Sequence, residues 1–234
     1  MILFYSKNIQ DNLAVLTEEE ATHCARVLRK RVGDVVNVVD GLGKIFEGEI
    51  VFLNKKKVEI QLSRVVVEEK LPPFGVNIAI APTKNIGRIE WFLEKGTEVG
   101  LQAVYFLETE HSERRKIRLD RLEKITLSAM KQSKHTFLPQ LNDLQKLKSF
   151  LDNLPDFDQK LIAWCVEGTD NLLINKIKSN ANIMVLIGPE GGFSPKEVDL
   201  CRQYGFETVS LGANRLRTET AALVSVVTIN ICQQ

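Results

Sequence analysis

Through the first seventy residues the apolar positions fall in short runs rich in valine and isoleucine, separated by glycine and asparagine turns. Residues 2–5 and 13–16 read as short strands. Thr17 and Glu20 then form a capping-box pattern that opens a helix carrying His23 and ending near Arg26. Residues 35–39, 45–53 and 58–67 read as strands around turns at 40–43 and 54–57. Short strands at this spacing predict a small antiparallel barrel or sandwich. Residues 68–73, Glu-Glu-Lys-Leu-Pro-Pro, break every period and read as a linker. Two domains follow from this break, over residues 1–70 and 74–234.

Beyond the linker the rhythm changes. Strands are expected at 76–81, 103–107, 160–166, 184–187 and 208–211. Helices are expected at 86–99, 119–133, 143–151 (capped by Asp143), 171–179, 195–204 and from about Glu219 to the end. Alternation of this kind predicts an α/β domain with a largely parallel sheet and helices on both faces. The last helix is apolar nearly all round, with Ser225, Thr228 and Asn230 as its polar breaks. Such a helix has to be covered on more than one side, and a second copy of the chain is one cover, so a homodimer is expected.

Two loops lie between a strand end and a helix start. The first runs Ile187-Gly188-Pro189-Glu190-Gly191-Gly192-Phe193-Ser194, with Ser194 as N-cap, Pro195 at the first helical position and Glu197 completing a capping box. It has neither the dinucleotide nor the phosphate-loop glycine spacing, and it sets Glu190 among free amides, where a phosphate would be repelled. A cationic or zwitterionic ligand suits it better. The second loop, Gly212-Ala213-Asn214-Arg215-Leu216-Arg217-Thr218-Glu219, also follows a strand, with Thr218 as its expected cap. Loops at the carboxyl ends of parallel strands line the ligand crevice of open α/β sheets, so the two should share one pocket. Arg217 and Glu219 are costly to enclose unless paired or used, and pairing with each other at the surface is the plain alternative.

Composition narrows the class. At 44% hydrophobic and 26% charged residues the 234-residue chain is an ordinary globular sequence, without a signal-peptide pattern or a run long enough to span a membrane. Cys24, Cys165, Cys201 and Cys232 are far apart and lack histidine partners at metal spacing. They read as reduced cysteines of a cytoplasmic protein, and no metal is expected. The net charge is +1, yet Arg26, Arg29, Lys30 and Arg31 form one basic cluster and the stretch from Arg114 to Lys134 another. Both suit a phosphate backbone, although from charge alone solvated helix and loop faces are the plainer account.

The two carboxyl-terminal loops together resemble the ribosomal RNA small subunit methyltransferase E family of the SPOUT superfamily. The resemblance rests on residues 187–194 with Glu197, and on Leu211-Gly212 with Leu216-Arg217-Thr218-Glu219-Thr220-Ala221. Lys84, Arg88, Glu90, Lys95, residues 97–100 and Gln132-Ser133 add to it. So do His23, Arg26-Val27-Leu28-Arg29, Gly33-Asp34 and Asp40-Gly41-Leu42-Gly43. It implies a PUA-like RNA-binding β-barrel before a trefoil-knotted SPOUT domain, a homodimer, and S-adenosylmethionine held in the knot loops. The implied reaction is methyl transfer to N3 of a uridine in 16S rRNA of the small ribosomal subunit. The implied cofactor positions are Leu186, Gly188, Glu190, Gly191, Gly192, Leu211, Gly212 and Leu216. Glycines let the backbone approach the adenosine, and the leucines offer apolar walls.

Uracil N3 carries a proton and attacks poorly until that proton leaves. A base, or a cation stabilising the uracil anion, is therefore needed beside the methyl group. Arg217 and Glu219 are the candidates for these roles, against the alternative that they only hold the loop in shape. Arg26, Arg29, Lys30 and Arg31 are expected to contact RNA from the first domain, and Lys84, Arg88, Gln132 and Lys134 near the site. His23 reads as a core or capping histidine. Two other functions stand beside this one: a different SPOUT methylation, and a non-catalytic RNA-binding module that has kept the fold.

Overall fold

The computed structural model describes residues 2–164 and 171–233, apart from the side chains of Thr17 and Glu18. The expected capping box at Thr17, the end of the strand expected to reach Val166, and Cys165 thus lie outside the described residues. The chain divides into two compact units, one of Met1–Leu71 with Leu127–Leu138, the other of Pro72–Thr126 with Pro139–Gln234.

The first unit is built on β1 (Leu3–Tyr5), β2 (Ile9–Gln10), β3 (Leu13–Thr17), β4 (Val35–Val39), β5 (Lys44–Leu53) and β6 (Lys57–Glu68), paired in the order β1-β4-β5-β6-β3-β2. In β6 the residues Val58, Ile60 and Leu62 alternate inward, joining Phe4, Leu16, Val38 and Ile50 in one core. A short helix α1 (Glu18–Thr22) runs into a wider, π-type turn at His23–Val27. His23 is half-buried and meets the Phe4 ring edge-on at 6.3 Å.

One segment in this unit comes from far along the chain. Met130 packs with Leu3, Val39 and Ile45, and Lys131 pairs with Glu20. The Asp40–Gly43 turn receives this segment: Gly43 N donates to Thr136 O (3.1 Å), and Leu138 N donates to Gly41 O (3.0 Å). A β-carbon on Gly43 would lie 2.8 Å from the Phe137 ring and 2.5 Å from Glu69 O, so only glycine fits.

The second unit holds β7 (Gly75–Ile80), β8 (Ala103–Glu108), β9 (Gln140–Lys146), β10 (Gln159–Ala163), β11 (Asn182–Ile187) and β12 (Glu207–Val209). They pair in the order β12-β10-β11-β7-β8-β9, and every pairing is parallel. The chain moves outward from β7 through β8 to β9, then returns to fill the other side. The strand order therefore reverses between β7 and β11, where ligand crevices of such sheets open.

Alternate residues of the central strands feed two cores. Val76, Ile78, Ile80, Ile183 and Val185 face Ile89, Phe92 and Leu93 of α2 (Ile86–Glu98), Leu122 of α3 (Leu119–Ser133), and Ala222, Val226 and Ile229 of α6 (Thr218–Gln233). Ala79, Ile162, Met184 and Leu186 face Leu147 and Phe150 of α4 (Leu147–Asp152), and Val198 and Cys201 of α5 (Pro195–Gln203). Helices on both faces are thus the arrangement found. One buried polar side chain, Asn77, is satisfied in place by Asn182 Oδ1 (2.7 Å) and Ile183 O (3.2 Å).

Three local expectations need correction. Asp143 does not cap a helix: it lies inside β9, and α4 starts only at Leu147 behind Lys146. The stretch 140–146 is a polar edge strand, so its hydrophobic pattern is faint. The helix expected over 171–179 reduces to one 3-10 turn, Leu173–Asn175. Leu172 is drawn into a bridge with Ser210, and Leu173 N donates to Ser210 O (2.9 Å). Thr218 is already the first residue of α6, and its hydroxyl leaves its own helix to donate to Gly188 O (3.0 Å).

Candidate functional site

The carboxyl ends of β10, β11 and β12 lie side by side, and a cavity of about 410 Å³ opens there. The loop after β11 supplies Gly188, Pro189, Glu190, Gly191, Gly192 and Phe193; the loop after β12 supplies Ser210, Leu211, Gly212, Asn214, Arg215 and Leu216, with Thr218 and Ala221 behind them. The Thr218 hydroxyl on Gly188 O ties the two loops together. Seven expected cofactor positions, Gly188, Glu190, Gly191, Gly192, Leu211, Gly212 and Leu216, are thereby brought round one cavity. Leu186 is not among its lining residues: its side chain is fully buried in the core under α4 and α5.

The turn is built from its own backbone and from the helix that follows. Gly192 N donates to Pro189 O (2.9 Å), and Gly192 takes φ +71°, a region that glycine enters freely. Gly188 and Gly191 are needed for room: a β-carbon would lie 3.1 Å from Phe193 N at the first and 2.9 Å from His111 Cβ at the second. The capping box of α5 is present as expected: Ser194 Oγ accepts from Glu197 N (3.3 Å), and Glu197 Oε2 accepts from Ser194 N (2.9 Å). The other oxygen of Glu197 accepts from Glu110 N (2.8 Å), and His111 Nδ1 lies 3.0 Å from Gly192 O. The loop after β8 therefore props the glycine turn from outside.

Glu190 does not stand alone among amides. Its Oε1 accepts from Lys84 N (3.1 Å) and lies 3.9 Å from Arg88 Nη1, while its carbonyl oxygen accepts from Arg215 Nη2 (3.3 Å). Much of its charge is answered locally, so a cationic ligand meets a partly neutralised wall. Glu219 is 7% exposed and pairs with Arg88 (Nε to Oε1, 3.7 Å), not with Arg217; its Oε2 is buried without a hydrogen-bond partner. Arg217 is exposed. Arg88 is thus held between two carboxylates instead of standing free for phosphate. Lys84 is exposed, but its ammonium pairs with Glu113 at 2.9 Å, which raises its pKa through that hydrogen bond and charge.

Of the other expected RNA contacts, Arg26, Arg29, Arg31, Gln132 and Lys134 are exposed and Lys30 is half-buried. Gln132 and Lys134 group with the first unit, whereas Lys84 and Arg88 belong to the second. Sequence reasoning missed Ala163 and Trp164, which line the cavity from the end of β10. The rule that picked out the other two loops, a strand's carboxyl end, applies to this one equally. His111 and Glu110 carried no signal, because their role depends on β8 and β11 sitting either side of β7.

Cys24 and Cys201 are buried, free thiols whose pKa values burial raises to about 11 and about 12. Among the described residues no group of three or more His, Cys, Asp or Glu is placed to hold a metal, and no helix is long and apolar enough to cross a membrane.

Two family models match the chain: an RNA methyltransferase domain over residues 70–230 and an RNA methyltransferase PUA domain over residues 16–63. The ribosomal RNA small subunit methyltransferase E of Aquifex aeolicus is 29% identical over 98% of each chain. That of Bacillus subtilis is 26% identical over 92% of this chain and 88% of its own. Among solved structures, a probable rRNA-methyltransferase from Porphyromonas gingivalis superposes with a TM-score of 0.84 at 38% identity, covering 100% of this chain and 98% of its own. A Legionella pneumophila protein solved with SAM bound superposes with a TM-score of 0.84 at 27% identity, covering 99% and 98%. Likeness over the whole length bears out the expected fold class, a SPOUT domain behind a PUA-like first part. With one model spanning most of the chain and a neighbour this similar from end to end, the chain belongs to the RNA methyltransferase family.

Proposed function

We propose that this protein is an S-adenosylmethionine-dependent methyltransferase that modifies N3 of a specific uridine in 16S rRNA. The observation that carries the reading is the cavity of about 410 Å³ at the ends of β10, β11 and β12, walled by glycine backbone and leucine side chains and lacking a phosphate-loop lysine. That surface fits an adenosine with no phosphate attached. When bound, S-adenosylmethionine supplies the methyl group from its sulfonium and keeps the electron pair of the broken carbon–sulfur bond. Gly188, Gly191 and Gly192 admit its backbone contacts, Leu211 and Leu216 cover the adenine, and Glu190 closes one side. Leu186 supports Phe193 from beneath. Arg217 stabilises the uracil anion and Glu219 takes the N3 proton; no metal takes part.

RNA is held by Arg26, Arg29, Lys30, Arg31, Gln132 and Lys134 on the first unit, which lies in the domain expected over residues 1–70 apart from the returning segment. Lys84 adds a contact on the second unit by exchanging Glu113, its exposed ion-pair partner, for phosphate. The protein acts in the cytoplasm as a homodimer. Leu223, Val224 and Val227 of α6 are only half-buried and Ile231 is 64% exposed, beside Val99, whose carbonyl accepts from Asn230 Nδ2 (2.6 Å). A second copy covers this face.

Nucleoside mass spectrometry of 16S rRNA from a strain lacking the gene tests the reaction: one N3-methyluridine should disappear and return on complementation. Loss of a different methylated nucleoside would favour another SPOUT activity. Absence of S-adenosylmethionine binding in a calorimetric titration would favour a non-catalytic RNA-binding module. Sedimentation of the wild type and of Ile231→Lys tests the dimer, which the substitution should dissociate.

A further inference from the structure

The stretch between β8 and α3 reaches a second loop as well as the glycine turn. Arg114 in this stretch is half-buried, and its guanidinium is occupied by three backbone carbonyls. Nε donates to Thr83 O (3.0 Å), Nη2 to Lys84 O (2.6 Å) and Nη1 to Lys116 O (3.5 Å). In the sequence this charge belongs to a basic cluster suited to phosphate; in the fold it is turned inward on the chain.

Thr83 O and Lys84 N belong to one peptide group. At the far end of that group the Lys84 N–H donates to Glu190 Oε1 (3.1 Å), and Glu190 lines the cofactor cavity. A cation and a carboxylate thus grip opposite ends of a single peptide. The guanidinium draws electron density toward the carbonyl oxygen and makes the N–H a better donor, so the two hydrogen bonds strengthen each other. The second arm, on Lys84 O, holds the following peptide too, and the planar fork keeps the Lys84 N–H aimed at Glu190.

We propose that Arg114 is the positioning residue for Glu190: acting through the Thr83–Lys84 peptide, it sets where that carboxylate stands in the cofactor wall. The proposal rests on the S-adenosylmethionine reading above and adds a residue outside the cavity on which cofactor affinity depends. Two observations separate this role from general support of the fold. The loop after β7 has bonds of its own: Ala81 N donates to Ile187 O (3.0 Å) and Thr83 Oγ1 to Asn85 O (2.7 Å). Asn85 Oδ1 then caps α2 by accepting from Gly87 N (3.0 Å). Removing Arg114 leaves all three in place. Glu190 has less to fall back on. Arg88 stands 3.9 Å from its Oε1, beyond hydrogen-bond distance, so the Lys84 amide is what orients the carboxylate.

Calorimetric titration of S-adenosylmethionine into the full chain tests this. Affinity should fall about fivefold or more in Arg114→Gln, with unfolding as cooperative as in the wild type. Arg114→Lys keeps the charge on one carbonyl and should fall between the two. Glu190→Ala removes the acceptor. In that background Arg114→Gln should change affinity less than about twofold, because a residue acting through Glu190 has nothing left to act on. Equal losses with and without Glu190 would make Arg114 a general support of the loops and overturn the proposal. A glutamine variant that does not fold, or a lysine variant that recovers nothing, would overturn it too. So would unchanged S-adenosylmethionine affinity with a shallower salt dependence of 16S rRNA binding, which would make Arg114 a phosphate contact. If the wild type itself binds no S-adenosylmethionine, the cofactor reading fails first and takes this proposal with it, so the two failures are distinguishable.

Discussion

Single residues decide the shape of the cofactor wall, and the glycines there are not interchangeable. At Gly192 an added β-carbon meets nothing within 4 Å, so alanine brings only the strain of φ +71°, about 1–2 kcal/mol. At Gly191 the same atom would lie 2.9 Å from His111 Cβ, whose ring is bonded to Gly192 O. Gly191→Ala should therefore displace the β8 loop and destabilise by about 1–3 kcal/mol. Calorimetry should show S-adenosylmethionine binding weakened at least tenfold, with Gly192→Ala closer to wild type; equal affinities would mean that His111 does not set the loop. Buried thiols behave as predictably. Held near 11 and 12, Cys24 and Cys201 remain protonated at pH 8 and should react with a disulfide reagent only after denaturation. The unfolded chain ionises them near 9 while the folded chain cannot. Their contribution to stability is complete below pH 9 and falls as pH rises from there toward 11 and 12. The candidate site was readable at this scale wherever a motif combined glycine with a cap. His111 and Trp164 were not, because neither residue type signals a distant partner.

At the scale of elements, α5 and its preceding turn form one device. Glu197 accepts two backbone hydrogen bonds, from Ser194 inside the cap and from Glu110 across the sheet edge. Ser194→Ala removes a single cap and should cost about 1 kcal/mol. Glu197→Ala leaves both donors without their charged acceptor and should cost about 2–4 kcal/mol in urea unfolding, with S-adenosylmethionine affinity falling alongside. If the two variants were equally stable, the bond to Glu110 would contribute nothing. The cap was legible because both partners lie within four residues. What the sequence hid were elements whose reason is tertiary. The strand at Gln140–Lys146 carries Asn142 and Asp143 at an edge where only one neighbour pairs, so neither alternation nor apolar content marks it. The Leu173–Asn175 turn keeps helical composition, but Ser210, just beyond β12, claims the backbone of Leu172 and Leu173.

At the scale of the molecule, the sequence break at Glu68–Pro73 separates two kinds of hydrophobic rhythm, yet 127–138 returns to the first unit. Linear reading took those residues as part of a helical layer because Leu127 and Met130 keep the helical period. Their burial against Leu3, Val39 and Ile45 comes from contacts more than eighty residues away in sequence. The return matters for RNA, since Gln132 and Lys134 are then carried by the same unit as Arg26, Arg29 and Arg31. If that unit grips phosphate, its charges act through released counterions, and each lost contact lowers the steepness of binding with salt. Replacing Arg26, Arg29 and Arg31 together by glutamine should weaken 16S rRNA binding and reduce the slope of log affinity against log salt by about 2. Lys134→Gln should reduce it by less than 1. These residues belong to a unit separate from the cofactor cavity, so S-adenosylmethionine affinity should stay at wild type. An unchanged salt slope in the triple variant would show that the arginines are solvated surface, and the phosphate contacts would then have to lie on the second unit.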